Sequence, residues 1–157
     1  MLSHDVAAVF SLDLTRLVQQ LQAFPDTASL WATAPGVTNA AGTLALHLEG
    51  NLREFIGRQL GQVPYTRDRA REFGDRGVEQ SELIARIQAI QERVPAVVRG
   101  LSDAALEAAY PSELFGRPMS TAQVLIYLTG HFNYHLGQID YLRRVATGQG
   151  SIALARL

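Results

Sequence analysis

The chain of 157 residues contains no cysteine, which excludes disulfides, thiolate metal ligands and a cysteine nucleophile. It contains no lysine either: all 14 basic residues are arginine, so Schiff-base chemistry and a lysine general base are excluded as well. Acidic and basic residues interleave to a net charge of −1, which leaves no electrostatic footprint for nucleic acid or an anionic membrane. No apolar run reaches the ~18 residues of a membrane span. The first ten residues, MLSHDVAAVF, lack the basic start of a signal peptide, so the cytoplasm is the expected location. Strand alternation bounded by hairpin turns is missing. A Gly-x-Ser-x-Gly elbow, a glycine-rich phosphate loop and an H-E-x-x-H motif are missing too.

What is present is helical periodicity. With 47% apolar residues the chain can bury a sizeable core, and its length fits one domain, residues 1–157. Val6, Phe10, Leu14, Leu17 and Leu21 recur at helical spacing from about Leu2 to Phe24, where Pro25 stops the pattern. A second helix follows Asn39, a candidate cap, and ends near Gly61 and Pro64. A third runs from about Glu79 to Arg99, with Pro95 expected to kink it or end it early. Ser102 or Asp103 can cap a short extra helix, and YPSELFGRPM then reads as a loop. The longest helix spans Ser120–Gly148. Ser120 and Gln123 form a capping-box pattern, and Gly148 is the stop. Four long helices with long connections predict an all-α four-helix bundle.

Between these helices, Trp31 is expected to lie over the core as a lid or to form a pocket wall. The stretch 61–78 alternates Arg with Asp68, Glu72 and Asp75, and reads as a solvated loop with at most a helical turn. Gly50 and Gly57, and likewise Gly130 and Gly137, are seven apart on one face, a spacing that predicts close helix approach. The apolar tail SIALARL is expected to pack on the bundle or on another subunit, and with the glycine seams it points to a homodimer.

The chemistry resides in three histidines. His131 and His135 are separated by about 40° around the last helix, so both rings leave one face one turn apart. His47 lies mid-way along the second helix among Leu44, Leu48 and Leu52. Polar residues share these stripes: Asn51 and Glu54 beside His47, Tyr127 and Gln138 beside the pair. Three imidazoles reaching one ion would form an open site suited to zinc, nickel, copper or iron(II) rather than magnesium or calcium. The residues alone equally allow a hydrogen-bonded histidine cluster in a pocket, with no metal. Glu54 is the candidate general base, although its two-turn offset of about 10 Å favours a salt bridge to an arginine. Tyr127 and Gln138 are candidates to fix histidine tautomers or orient substrate, and His4, near the chain start, reads as solvated.

The segments TLALHLEGNLREFIG, YTRDRAREF and HFNYHLGQIDYLRR resemble the DinB/YfiT-like family over nearly the whole chain. The motif that carries the resemblance best is His131-x3-His135-x-Gly137-Gln138-Ile139. The resemblance implies a four-helix bundle of up-down-down-up type holding a divalent metal, zinc or nickel, on His47, His131 and His135. It further implies a transferase or isomerase that uses a low-molecular-weight thiol, such as bacillithiol or mycothiol. With an open metal site the expected activity is that of a hydrolase or a thiol-dependent transferase on a small electrophilic substrate. The alternative is a non-catalytic metal- or ligand-binding bundle, a stress-related binding protein.

Overall fold

The computed structural model describes residues 1–113 and 116–156. Its helices are α1 (Leu2–Gln22), α2 (Thr27–Leu30), α3 (Ala41–Leu52), α4 (Arg69–Gly74), α5 (Gln80–Gln91), α6 (Arg93–Arg99), α7 (Asp103–Glu107) and α8 (Thr121–Thr147). A π-helical segment, Arg53–Arg58, continues α3. The four members of the bundle are α1, α3 with its π segment, the pair α5–α6, and α8. Leu114 and Phe115 of the expected loop, and Leu157 at the end of the tail, lie outside the described residues.

The sequence dictates most of the boundaries. At the start of α8 the Ser120 hydroxyl accepts from Gln123 N–H while the Gln123 side chain accepts from Ser120 N–H, a reciprocal capping box. At its end Gly148 has φ +68°, a left-handed conformation that glycine adopts without steric cost. Pro95 acts four residues upstream of itself. It has no N–H to give Gln91, so α5 ends there, and Pro95 sits in the first turn of α6 where no such bond is needed. Ser102 caps α7 through Ala105 N–H.

Phe10, Leu14 and Leu17 of α1, Leu48 and Leu52 of α3, Ile87 of α5, Val94 and Val98 of α6, and Val124, Phe132 and Ile139 of α8 close one core. Trp31 lies over that core as a lid, its indole N–H donating to Val78 O at 2.9 Å and its ring against Gly42. The described tail packs on its own bundle: Arg16 donates to Ala155 O, Ala155 N–H donates to the Gln19 side chain, and buried Arg143 donates to Gly150 O.

Four expectations need correction. Asn39 does not cap α3; Ala40 occupies that position without a side-chain bond. Two further short helices accompany α7, each started by an aspartate that bonds the third residue on: Asp26 for α2 and Asp68 for α4. The stretch 61–78 is not simply a solvated loop, because α4 folds down over α3 and buries Glu72. The expected close helix approach holds at Gly50, which takes the Glu72 side chain of α4, but not at Gly130 and Gly137, which face open space among the described residues.

Candidate metal centre

The groove between α3 and α8 holds the three histidines. One ring nitrogen from each of His47, His131 and His135 lies within 4.8 Å of the others, a group that could hold a metal ion. The ring centroids stand 4.6 Å (His131–His135), 5.1 Å (His47–His131) and 5.2 Å (His47–His135) apart, each pair near edge-to-face.

Hydrogen bonds on the outer nitrogens set the tautomers. His47 Nδ1 lies 3.0 Å from Glu72 Oε2. A carboxylate accepts only, so this nitrogen carries the proton and Nε2 is left with a lone pair. His135 Nδ1 donates to Gln138 Oε1 at 2.6 Å, with the same consequence for its Nε2. His131 is the ring that cannot be satisfied. Its Nε2 lies 3.2 Å from His47 Nε2, and its buried Nδ1 has no partner among the described residues. With the proton on Nδ1, a buried donor is unpaired and two lone pairs face each other; with the proton on Nε2, the orphan is the Nδ1 lone pair.

A cation between the Nε2 atoms removes the lone-pair conflict. Two nitrogens on one tetrahedral ion at about 2.0–2.1 Å stand about 3.3 Å apart, close to the observed 3.2 Å. The residues present therefore fit a divalent transition metal.

The electrostatics keep the rings in their ligating form. Burial pushes His131 down to about 4, helped by the guanidinium charges of Arg67 and Arg69 and by repulsion from the neighbouring histidines whenever they too are protonated. Burial also lowers His135, against the opposing hydrogen bond to Gln138. Both are neutral imidazoles at neutral pH.

The residue that sequence reasoning missed is Glu72. Only 6% exposed, it takes His47 Nδ1–H on Oε2 and a two-point grip from Arg67, whose Nε is 2.7 Å from Oε1 and Nη2 2.8 Å from Oε2. Burial alone would raise this carboxyl, but the hydrogen bonds and charges of Arg67 and His47 outweigh it and carry it down to about 2. Arg67 in turn lies over the Phe55 ring at 5.4 Å. Phe73, next to Glu72, packs its ring 5.0 Å from His47 and carries the exposed Arg69 guanidinium at 5.0 Å on its own ring. The available signal was the Asp68-x-x-Arg71 cap, which starts a helix inside a charged stretch and places Glu72 and Phe73 on it.

The four supporting candidates separate. Gln138 bonds His135 directly. Tyr127 stacks at 6.1 Å from His131 with a 31° tilt. Asn51 is buried one turn beyond His47 and makes no hydrogen bond to a site histidine among the described residues. Glu54 turns to Arg58 Nε at 2.8 Å and Gln59 Nε2 at 3.2 Å; these bonds, Arg58 foremost, hold its carboxyl below the ordinary range.

A family model described as the DinB superfamily matches residues 10–139. The chain belongs to the DinB superfamily. The superfamily fold is also seen in the crystal structure of a DinB-like protein from Bacillus cereus ATCC 10987. That protein superposes with a TM-score of 0.71 at 20% identity, over 94% of this chain and 95% of that one. No curated protein matches. His47, Glu72, His131 and His135 of this DinB-superfamily chain all fall within the matched residues.

Proposed function

We propose that this protein is a metal-dependent enzyme that binds one divalent transition-metal ion, zinc or nickel, on His47, His131 and His135. Its substrate in this reading is a small electrophile. The observation that carries the reading is the convergence of three ring nitrogens within 4.8 Å, with Glu72 and Gln138 bonded to the outer nitrogens of two of them.

A bound divalent cation supplies Lewis acidity, lowering the pKa of an attacking water or thiol. The chain's own residues prepare for it. Glu72 and Gln138 hold His47 and His135 in the tautomer that offers Nε2 inward. Arg67 fixes Glu72, so the orientation of His47 is set by a charge-assisted, two-point contact rather than by packing alone. Arg67 and Arg69 add positive charge beside His131, which favours an anionic nucleophile. Phe73 and Tyr134 pack their rings against His47 and His135.

Hydrolysis and thiol transfer make different demands on these residues. Hydrolysis calls for a free base close to the site, yet Glu54 is tied to Arg58 and Glu72 to Arg67 and His47. A low-molecular-weight thiol is the more acidic nucleophile and requires less help, so this arrangement favours thiol transfer.

The test is elemental analysis of untagged protein beside folded His47→Ala and His131→Ala variants. Near-stoichiometric metal that both variants lose supports the reading and justifies screening aryl and alkyl halides with bacillithiol and mycothiol. Protein that takes up neither zinc nor nickel on incubation would rule the metalloenzyme out.

A further inference from the structure

A cleft of about 410 Å³ opens one helical turn from the histidines along both α3 and α8. Leu44, one turn before His47, and Gln138, one turn after His135, line it at the end nearest the histidines in sequence. Tyr141, Leu142 and Val145 of α8 and Val37 of the 34–39 loop line it as well. The volume is in the range of small-molecule sites, about 300–1,000 Å³. Val145 and Tyr141 are 66% and 67% exposed, so large apolar surface on an otherwise ordinary amphipathic helix is left facing this cleft.

Gln138 links the cleft to the histidines. Its Oε1 is committed to His135 Nδ1, whereas its Nε2 donates no hydrogen bond among the described residues. A free amide donor therefore sits where the apolar cleft meets the three-histidine site. An apolar ligand arm in the cleft, joined to a hydrogen-bond acceptor at Gln138, would direct the next atoms of the ligand toward the histidines.

We infer that this cleft binds the apolar arm of the substrate: an alkyl or aryl group joined through a carbonyl-type acceptor to the reacting centre. The inference rests on the metal reading above. It adds a chemical class to the substrate, and it gives Gln138 a second role as the residue that marks the junction of polar and apolar parts.

The probes are zinc-loaded protein and straight-chain alkyl hydroxamates from acetohydroxamate to octanohydroxamate, with affinity measured by calorimetry. Hydroxamates carry a metal-binding head, formed by the carbonyl and N–O oxygens, and a tail of chosen length. Affinity is expected to climb about fourfold per added methylene and then level off as the cleft fills. The methyl resonances of Val37 and Val145 should move with octanohydroxamate and stay still with acetohydroxamate. Val145→Asp should flatten the dependence on length, while Ile126→Asp, at an apolar residue 55% exposed on the same helix but outside the cleft, should leave it intact. If acetohydroxamate binds but longer tails gain nothing, the cleft does not take the substrate arm and this inference is overturned while the metal reading stands. If the protein takes up no zinc, the metal reading fails and this inference falls with it; if zinc is bound and no hydroxamate binds, the metal reading stands and this inference is overturned.

Discussion

A Cβ placed on Gly50 would stand 2.7 Å from the carboxyl carbon of Glu72, closer than real contacts allow. Gly50 is thus the space into which α4 lowers its carboxylate to reach His47. Glycine inside a helix costs about 1 kcal/mol against alanine, so Gly50→Ala should gain local helix propensity and yet lose function. The expected outcome is metal affinity weakened about tenfold, because Glu72 is forced off His47 Nδ1. Competition against a chromophoric chelator measures it, and unchanged affinity would show that Glu72 does not tune the site.

Glu72→Gln keeps the shape and an oxygen that can still accept from His47, but removes the negative charge. Metal affinity should fall between tenfold and a hundredfold, with the helical content retained. Arg67 then lacks its carboxylate, so part of the loss should appear as lower stability, read from the midpoint of denaturant unfolding. Equal affinity in Glu72→Gln and the native protein would assign the carboxylate a purely structural part.

Protonation sets a third expectation. His131 is held near 4 by burial and neighbouring positive charge, well below the 6.5 of an unperturbed histidine. A native pKa below the unfolded one means that the unfolded chain binds the extra proton first as pH falls. Metal-free protein should therefore keep this contribution above pH 6.5 and lose it progressively down to about 4. For the same reason a bound ion should be retained at pH 6 and released as pH approaches the native value. Glu72, near 2, remains charged across that window and is not the group that titrates. Metal content measured after dialysis at stepped pH checks this, and half-release near 6.5 would contradict it.

The bundle and the histidine cluster were legible because each depends on short-range pattern. Ser120 with Gln123, Pro95 and Gly148 mark helix ends by local hydrogen bonding and backbone conformation, which a sequence displays directly. His131 and His135 share a face by helix geometry alone. Glu72 was illegible for the opposite reason. Its burial depends on α4 turning back over α3 into the space at Gly50, a contact 22 residues distant that no local period encodes. Glu54 was legible from its offset: two turns from His47 it is too far along the axis for the site, and the arginine salt bridge favoured there is the one it makes with Arg58, one turn on. The glycine spacing was less informative, since equal spacing concealed two different surroundings.

Those surroundings give the last prediction. Gly130 and Gly137 lie inside α8 with nothing among the described residues within 4 Å of an added Cβ, so alanine at either position meets no steric penalty from them. Each of Gly130→Ala and Gly137→Ala should stabilise the protein by about 0.5–1 kcal/mol through helix propensity. For a chain of this size that is a rise in melting temperature of about 2–4 °C per kcal/mol. Metal content should not change, which separates these variants from Gly50→Ala despite the identical substitution. A thermal melt at several protein concentrations is the measurement. A lower melting temperature in either variant, with a deficit that grows with concentration, would mean that a second copy packs closely on this face and that the methyl group disrupts it.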